Sequence, residues 1–270
     1  EMGAGGVTED LNRITSVVTI KAYFPAKFGQ KETLVKLERY LGKNKTKIAT
    51  RWVEEENWAE RYKEFFKAGP ISKTFYLQPV WEKELVIPSG MLPILMEPGQ
   101  AFGTGLHPST KLAIRALEQV LDLYPNRNKL KLIDVGTGTG IIAMAAEKLG
   151  LRKITAIDID PTSIQVAKEN FALNGCHEIT VSTKALSQFS KPFDLMVSNI
   201  LLETHRQLAE HYRKLLVPGG ILILSGLLGQ QRDEIYEVMQ QAGMQRLFDY
   251  SLQEWSGFAF VARQPYTFRK

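Results

Sequence analysis

The chain has 270 residues, of which 44% are hydrophobic, and it carries a formal net charge of +5. This composition excludes a globally disordered protein, and the length allows one large domain or two unequal ones. The lone cysteine, Cys176, excludes an internal disulfide, and no apolar run nears the roughly 20 residues that span a bilayer. The first residues show no signal-peptide pattern, so we expect a cytoplasmic protein with no membrane partner.

Most of the positive charge lies in residues 1–80, where 14 Lys and Arg face 10 Asp and Glu and leave +4 of the total. Such an excess is typical either of transient contact with an acidic partner, such as the ribosome or its RNA, or of a mixed, solvated surface. The acidic residues Glu54, Glu55 and Glu56 lie in the same segment and argue against a simple basic patch. Both interpretations therefore stay open.

Residues 1–53 have the pattern of a small β-α-β unit. A β-branched strand pattern covers 14–25, leucines at helical spacing cover 29–41, and a second alternating pattern covers 45–53. The unit has few apolar residues, so we expect it to need docking partners for its stability. We predict a small N-terminal α/β domain.

Residues 54–70 are predicted to form an aromatic linker helix that Gly69 and Pro70 end, and residues 71–270 to form the main domain. An amphipathic helix begins at Pro108, and strand and helix patterns alternate after it. This alternation predicts an α/β fold with a mostly parallel sheet covered on both faces. The last two strand patterns have no helix between them, which predicts a hairpin and an antiparallel edge strand.

The strongest motif, "DVGTGTG", follows a buried strand and precedes a helix. The strand ends at Asp134, and Gly136, Gly138 and Gly140 allow the backbone to turn sharply and approach a ligand. The next strand ends at Asp158, whose carboxylate can accept hydrogen bonds from both hydroxyls of a ribose. Together these features indicate a cofactor that contains adenosine.

The spacing alone leaves two cofactor classes open. Gly138 followed by Gly140 and Ala143 satisfies the G-x-G-x-x-A pattern of nicotinamide-dependent dehydrogenases. Asp134, however, would repel a pyrophosphate and favour a cationic ligand such as S-adenosylmethionine. The D-x-G-x-G-x-G pattern resembles motif I of the class I methyltransferases, and a dehydrogenase remains the alternative from another class.

Asn199 ends the strand "FDLMVSNI", beside the first strand, where ligands bind in doubly wound sheets. Its side-chain oxygen can accept a hydrogen bond from an amine and aim the nitrogen lone pair at a methyl group. Ile200, Leu201 and Leu202 follow, in place of the Pro-Pro-aromatic sequence frequent in amino-methyltransferases. Without that aromatic residue, a flipped adenine base is disfavoured as the substrate. Methylation of RNA or of a small molecule remains an alternative.

Four segments in this order and spacing resemble the PrmA family, the methyltransferases of ribosomal large-subunit protein eleven. They are "EPGQAFGTGLHPST", "DVGTGTGIIAMAAEKLG", "AIDIDPTSI" and "SNIL", and the similarity covers most of residues 54–263. The first segment, residues 97–110, is the diagnostic one, because many methyltransferases share the glycine motif. Since it lies before the helix that leads into the first strand, we expect it to fold over the same cofactor from the opposite side.

The resemblance implies a class I, Rossmann-like methyltransferase domain preceded by a small ferredoxin-like domain that docks the protein substrate. It implies transfer of methyl groups from S-adenosylmethionine to lysine ε-amines and to the N-terminal amine of a ribosomal large-subunit protein. We expect a monomer without a metal ion. The matching positions for cofactor contact are Thr110, Gly136, Asp158 and Asn199, and Phe102 and Thr104 of the same loop are expected to border the methionine part.

Two residues are catalytic candidates on this basis. Asn199 is expected to orient the amine for in-line displacement at the methyl carbon. His107 falls in the diagnostic loop and either lies near the amine or serves only as a residue at a helix N-terminus. A bound water and bulk solvent are the other candidates for the base that removes the amine proton.

The chain also departs from the family pattern at two places. The segment "EMGAGGV" resembles the end of the first helix of the family's N-terminal domain, so we expect that domain to be incomplete. The family often has small residues after "NIL", whereas Leu202, Glu203, Thr204 and His205 stand here. We expect the rim of the pocket to differ accordingly.

Overall fold

A computed structural model describes residues 6–12, 17–23, 66–97 and 103–262, together with the single residues Val35 and Ala49. The chain divides into two compact units, residues 1–56 and 57–270. The predicted boundaries at 53/54 and 70/71 stay a prediction.

The described part of the first unit is an antiparallel strand pair. Strand β1 (Gly6–Asn12) pairs with β2 (Val17–Tyr23), with Gly6 opposite Tyr23 and Asn12 opposite Val17. Strand β2 lies inside the strand predicted at 14–25. Strand β1 was not predicted, and Gly6 and Val7 lie in a strand, so their assignment to the end of a helix is wrong. The reason is that backbone pairing with β2 overrides a weak local pattern.

The other predicted elements of the first unit fall on residues that the structure does not describe. The predicted helix at 29–41 and strand at 45–53 lie outside the described residues, apart from Val35, which is helical, and Ala49, which belongs to no regular element. The ferredoxin-like form of this domain stays a prediction.

The second unit is built on a seven-stranded sheet with the order β11-β12-β10-β9-β6-β7-β8. The strands are β6 (Lys131–Val135), β7 (Lys153–Ile157), β8 (Ile179–Ser182), β9 (Phe193–Asn199), β10 (Leu216–Leu228), β11 (Met244–Leu252) and β12 (Trp255–Ala262). The helices are α1 (Pro108–Asp122), α2 (Ile141–Lys148), α3 (Pro161–Leu173), α4 (Leu202–Leu215) and α5 (Arg232–Gln241).

The mostly parallel sheet and the terminal hairpin are confirmed, but the antiparallel strand is not at the edge. Strands β8, β7, β6, β9 and β10 are parallel neighbours, and β12 runs antiparallel to both β10 and β11. Strand β12 is buried along almost its whole length, whereas β11 exposes much of its surface. The more apolar strand therefore takes the inner position, and β11 forms the edge.

Side chains on both faces of the sheet are buried. Adjacent residues of β6 point to opposite faces, and Leu132 and Ile133 accordingly belong to two different core clusters. Helix α1 begins with Pro108 in its first turn, and helix α3 begins with Pro161 after Asp160, whose carboxylate accepts from the Thr162 backbone N–H at 2.9 Å. Within the described ranges, no helix has the length and apolar character needed to cross a bilayer.

A small three-stranded sheet precedes α1 in the chain. It comprises β3 (Gly69–Pro70), β4 (Phe75–Pro79) and β5 (Leu92–Met96). Residues 66–68 form no regular element and β3 is a strand, so the C-terminal end of the predicted linker helix is wrong. The backbone there pairs with β4 instead of continuing a helix, while residues 54–65 lie outside the described residues.

Two buried or half-buried polar side chains fix this small sheet to the main domain. Glu118 of α1 accepts from the Ser72 hydroxyl at 2.6 Å and from the Thr74 backbone N–H at 3.2 Å. Asn174, after α3, accepts from the Leu95 backbone N–H at 2.9 Å and donates to the Leu95 carbonyl at 2.7 Å. The loop that follows β5 therefore starts from a fixed strand.

Candidate active site

The predicted site residues gather at the carboxyl edge of the parallel strands. Asp134 lies in β6, Asp158 directly follows β7, and Asn199 ends β9. Strands β7 and β9 flank β6 on either side, so the three polar side chains surround one crevice.

The glycine loop makes a tight connection from β6 to α2. Gly136, Gly138 and Gly140 all adopt left-handed backbone angles, with φ of 74°, 53° and 83°. The backbone N–H groups of Gly136 and Thr137 both donate to the Ile157 carbonyl at 2.9 Å. A Cβ atom on Gly136 would lie 2.5 Å from Cγ2 of Ile200, which follows Asn199. Glycine is therefore required here both by conformation and by close contact with the β9 end.

Asp134 is a buried carboxylate with one unused oxygen. Its side chain is 0% exposed, and Oδ2 accepts from the Thr137 hydroxyl at 2.7 Å. Oδ1 is buried and accepts no hydrogen bond within the described part of the chain. Burial raises the pKa of Asp134 to about 7, and the Thr137 hydroxyl and the Ala143 backbone N–H oppose part of that rise. A donor or cation placed at Oδ1 would stabilise the ionised form.

Asp158 connects the glycine loop with the loop after β7. Oδ2 accepts from the Gly138 backbone N–H at 3.0 Å, and Oδ1 accepts from the Asp160 backbone N–H at 3.1 Å. The residue is half-buried, and each carboxylate oxygen has room for a second donor. The carboxylate is thus held in place while it can still accept from two hydroxyl groups.

Asn199 and Thr110 form the opposite side of the crevice. The Asn199 Nδ2 group donates to the Thr110 hydroxyl at 3.3 Å, which fixes the orientation of the amide. Asn199 is 8% exposed, and its Oδ1 is buried without a hydrogen-bond donor among the described residues. The free acceptor oxygen is the group that the sequence assigned to orienting an amine.

The first glycine loop packs onto the second one. The Thr139 hydroxyl donates to the Gly103 carbonyl at 2.5 Å, and a Cβ on Gly105 would lie 2.6 Å from Cδ1 of Ile141. Thr104 lies half-buried between these contacts, while Phe102 falls outside the described residues. The two loops therefore belong to one site.

His107 caps helix α1. Its Nδ1 accepts from the Ser109 backbone N–H at 3.3 Å and lies 2.7 Å from the Ser109 hydroxyl. The ring packs edge-on against Trp255 with centroids 4.5 Å apart. Burial lowers the pKa of His107, and Glu254 opposes part of that change. A neutral ring whose Nδ1 accepts carries its proton on Nε2, which favours the capping role over that of a base.

The predicted difference in the pocket rim at Leu202, Glu203, Thr204 and His205 stays a prediction, and these residues are not all exposed. Leu201 is 72% exposed and Glu203 and Thr204 are exposed, but His205 is fully buried. His205 therefore lies beneath the site rather than at its entrance. The sequence gave no sign of this burial, since the Ser225 carbonyl that His205 contacts belongs to β10.

Sequence reasoning also missed a set of hydroxyl groups around the crevice. Thr137 and Thr139 lie within the glycine motif itself, where only the glycines and Asp134 were singled out. Ser109 lies in the diagnostic loop and contacts both His107 and, through its carbonyl, the Ser225 hydroxyl at 2.7 Å. The sequence could have indicated the threonine hydroxyls, because they lie beside the glycines of the motif. It gave no indication of the partners of Ser225.

The donor and acceptor groups of the crevice fit S-adenosylmethionine. Two buried acceptor oxygens, Oδ1 of Asp134 and Oδ1 of Asn199, have no donor within the described ranges. An unsatisfied buried acceptor is costly, so both oxygens favour a ligand with N–H groups or positive charge. Asp158 adds the acceptors for a ribose.

This architecture is that of a class I methyltransferase domain: a mostly parallel seven-stranded sheet with one antiparallel strand, a glycine loop after the first strand and an acidic residue after the second. The sequence profile of the family described as ribosomal protein L11 methyltransferase (PrmA) matches residues 5–263. The match thus extends well beyond the segments that carried the resemblance.

Known proteins agree with this match. A ribosomal protein L11 methyltransferase of Geotalea uraniireducens (strain Rf4) is 34% identical over 260 residues, covering 90% of this chain and 82% of the relative. A crystal structure of ribosomal protein L11 methylase from Lactobacillus delbrueckii subsp. bulgaricus has 30% identity and a TM-score of 0.66, covering 74% of this chain and 100% of that one.

A more distant structure shares only the fold. Magnesium protoporphyrin IX methyltransferase from Synechocystis PCC 6803, solved with bound SAM, is 17% identical with a TM-score of 0.50, and the match covers 62% of this chain and 87% of that one. The profile match and the closer relatives show that this chain belongs to the ribosomal protein L11 methyltransferase family.

Proposed function

We propose that this protein transfers methyl groups from S-adenosylmethionine to amines of ribosomal protein L11, namely lysine ε-amines, the N-terminal amine or both. The family membership supports the substrate. The observation that carries the chemistry is the buried Oδ1 of Asn199, for which the described residues supply no donor and which the Thr110 hydroxyl holds in orientation from the other end of the amide.

The side of the crevice formed by β6 and β7 would hold the cofactor. S-adenosylmethionine supplies a methyl group on a positively charged sulfur. Asp158 would accept from the ribose hydroxyls, and the backbone of Gly136–Gly140 would line the ligand. Asp134 would stabilise positive charge, because its raised pKa falls again when a cation is close. Thr104 and Phe102 are proposed to border the methionine part.

The side of the crevice formed by β9 and α1 would hold the amine. Asn199 Oδ1 would accept one N–H of the neutral amine and thereby direct its lone pair. Asn199 and Thr110 are both buried and neutral, so a lysine ammonium would lose stability on entering. The site therefore favours loss of the proton to water, and His107, whose Nδ1 already accepts, would only border the amine.

The first unit is proposed to dock the protein substrate, as the resemblance implies. A transient ribosome or rRNA contact would use its positive charge. We expect the enzyme to act as a monomer in the cytoplasm.

The substrate assignment can be tested by mass spectrometry. Purified L11 and, separately, rRNA are incubated with the enzyme and S-adenosylmethionine, and reactions without S-adenosylmethionine serve as the control. We expect mass additions of one or more methyl groups on L11 alone, at lysine or N-terminal amines. Added methyl groups on rRNA but not on L11 would instead establish the alternative, an RNA methyltransferase.

The cofactor assignment can be tested by thermal shift. A ligand that binds only the folded state stabilises it by RT ln(1 + [L]/Kd), and Tm rises accordingly. We expect S-adenosylhomocysteine to raise Tm and NAD to leave it unchanged. A shift with NAD alone would support the dehydrogenase alternative.

A further inference from the structure

A buried polar network lies directly beneath the candidate site. It consists of side chains from β9, α4 and β10 that are all inaccessible to solvent: Ser198, His205, Tyr212 and Ser225. His205 Nε2 lies 2.9 Å from the Ser225 carbonyl, and His205 Nδ1 lies 3.1 Å from the Tyr212 hydroxyl. The Tyr212 hydroxyl lies 3.2 Å from the Ser198 hydroxyl. We call this set the His205 network.

Both ends of the network lead to residues that adjoin the site. The Ser198 hydroxyl donates to the Val135 carbonyl at 3.0 Å, directly before Gly136, and Ser198 itself directly precedes Asn199. The Ser225 hydroxyl donates to the Ser109 carbonyl at 2.7 Å, directly before Thr110. The network therefore connects β6, β9, β10 and α1 at the level of the crevice.

Strand pairing brings the network still closer to Asn199. Ser225 of β10 is the register partner of Asn199 of β9. After it, Gly226 has a φ of 85°, and a Cβ there would lie 2.3 Å from the Ile200 carbonyl. The chain just beyond Asn199 is thus in contact with the chain just beyond Ser225.

The protonation of His205 follows from its partners. The Ser225 carbonyl can only accept, so neutral His205 carries its proton on Nε2, and its Nδ1 is an acceptor that faces the Tyr212 hydroxyl. Because the Ser198 hydroxyl donates to the Val135 carbonyl, the single Tyr212 proton is available either to the Ser198 oxygen or to His205 Nδ1. Burial lowers the pKa of His205 to about 4, although the Ser225 and Ile200 carbonyls favour the charged form. Neutral His205 therefore donates from Nε2 and offers Nδ1 as an acceptor to the Tyr212 hydroxyl.

A network of this kind fixes geometry more than it adds stability. Apolar side chains of the same size would fill a core at least as favourably, whereas polar groups with satisfied hydrogen bonds allow only one arrangement. The surrounding cluster is apolar and includes Ala209, Leu224 and Leu227. Polar groups in such a place therefore serve to hold the strand ends and α1 in one relative position.

We propose that His205 and Tyr212 are positioning residues for methyl transfer, acting through Ser198, Ser225 and Ser109 on the Asn199–Thr110 pair. The proposal rests on the proposed function in one respect, that this pair orients the acceptor amine. Loss of a network hydrogen bond would let the Asn199 amide move while the cofactor side of the crevice stays in place.

The kinetic test uses Tyr212→Phe, which removes only the hydroxyl, with His205→Leu and His205→Gln. We expect Tyr212→Phe and His205→Leu to lower kcat about 10- to 100-fold, because small misplacements of reacting groups reduce rates on this scale. KM for the protein substrate and Kd for S-adenosylhomocysteine should change less than about 3-fold. His205→Gln, whose amide can still donate to the Ser225 carbonyl, should recover part of kcat.

The matched control is Tyr236→Phe, which removes a tyrosine hydroxyl from α5 that packs against the same core cluster. That hydroxyl accepts from Arg246 at 3.3 Å and makes none of the network's hydrogen bonds. Tyr236→Phe should leave kcat unchanged. Folded Tyr212→Phe with the kcat of wild type would overturn the proposal, as would a proportional loss of kcat and cofactor affinity. If His205→Leu does not fold, Tyr212→Phe decides the outcome.

A readout without substrate separates this proposal from the proposed function. The side-chain amide resonance of Asn199 is assigned by its loss in Asn199→Ala, using ¹⁵N-labelled enzyme saturated with S-adenosylhomocysteine. We expect that resonance to shift or broaden in Tyr212→Phe and to stay in place in Tyr236→Phe. An unmoved resonance would overturn the positioning role, even if wild type methylates L11. A shift in an enzyme inactive on L11 would support it and sink only the substrate assignment.

Discussion

The two sides of the crevice differ in the kind of polar group they offer. The side formed by β6 and β7 presents carboxylates, with Asp134 fully buried and Asp158 held by backbone N–H groups. The side formed by β9 and α1 presents a neutral amide and hydroxyl, Asn199 and Thr110, above a network with neutral His205. Both sides end in an acceptor oxygen that no described residue satisfies.

This difference matches the two partners of a methyl transfer to an amine. The side with carboxylates suits a methyl donor that carries positive charge, whereas the neutral side suits an amine, which must be uncharged to react. The carboxylates on one side would thus determine the affinity for the cofactor, and the neutral groups on the other side would determine turnover. Four changes test that separation, from the largest expected free-energy effect to the smallest.

Asp134→Asn should produce the largest effect, and that effect should depend on pH. The pKa of Asp134 is about 7 in the folded protein and ordinarily 3.8, so the folded state holds a proton that the unfolded chain releases between these values. Wild-type stability should therefore fall as pH rises from about 4 to 7, by up to about 4 kcal/mol. Asp134→Asn lacks this pH-dependent loss. The difference in unfolding free energy between the variant and wild type should therefore shift in favour of the variant from about pH 4 to 7 and become constant above pH 7.

Chemical denaturation from pH 4 to 8 measures this difference. Thr137→Val serves as a companion variant, because removal of the hydroxyl that opposes the pKa rise should move the upper end of the window above pH 7. A difference between Asp134→Asn and wild type that is constant with pH would contradict the raised pKa. Asp134→Asn should also bind S-adenosylmethionine more weakly than wild type does at pH 8.

Asn199→Ala should come next, at roughly 3 kcal/mol in the transition state. We expect kcat to fall about 100-fold, because the amine loses its orienting acceptor, with Kd for S-adenosylhomocysteine within about 3-fold of wild type. Steady-state kinetics and calorimetry give the two quantities. Asn174→Ala, which loses two hydrogen bonds to Leu95 outside the site, should lower Tm with little change in kcat. Equal losses of turnover and affinity in Asn199→Ala would leave that residue as a cofactor contact only.

Gly136→Ala should cost about 2 kcal/mol of stability, since a Cβ would clash with Ile200 and the residue has a φ of 74°. The clash links the two sides of the crevice, so both cofactor affinity and kcat should decline. Adding Ile200→Ala should remove the steric part and leave about 1 kcal/mol of backbone strain. Gly150→Ala, with a φ of 102° and no described atom within 4 Å, measures that strain alone.

His107→Asn should give the smallest effect. Asparagine is a good N-cap, so it replaces Nδ1 as the acceptor for the Ser109 N–H, and kcat should stay within a few-fold of wild type. His107→Ala should lower the unfolding free energy by about 1 kcal/mol through loss of the cap. A fall in kcat of about 100-fold or more in both variants would instead identify His107 as the general base.

Most of the fold could be predicted because its elements have strong local patterns. Buried parallel strands are short apolar runs, and α1 and α3 begin at prolines, so the alternation was visible residue by residue. The position of β12 inside the sheet was missed, although its continuous apolar run contrasts with the polar β11. Strand β1 was missed because its pairing partner, rather than its own sequence, determines its conformation.

The site divides in the same way. Asp134, Asp158 and the glycines lie in contiguous motifs, so their spacing indicated one crevice. The His205 network could not be predicted, since its hydrogen bonds join β9, α4 and β10 only after these elements pack together. Its link to the Ser109 carbonyl spans 116 positions. A buried histidine on a helix resembles any polar surface position until its partners are known.

Helix α1 has a consequence for how the enzyme is made. It is the first described helix of the second unit, yet it packs against β10, β11 and β12, the last strands of the sheet. The Ser109 carbonyl finds its donor in β10, and Cβ of Leu112 approaches Gly257 of β12 closely enough that a Cβ there would lie 3.2 Å away. During synthesis, Thr110 and Asn199 can take their final positions only after the C-terminal third of the chain has left the ribosome. We therefore expect a nascent chain to acquire activity only once its final hairpin has folded.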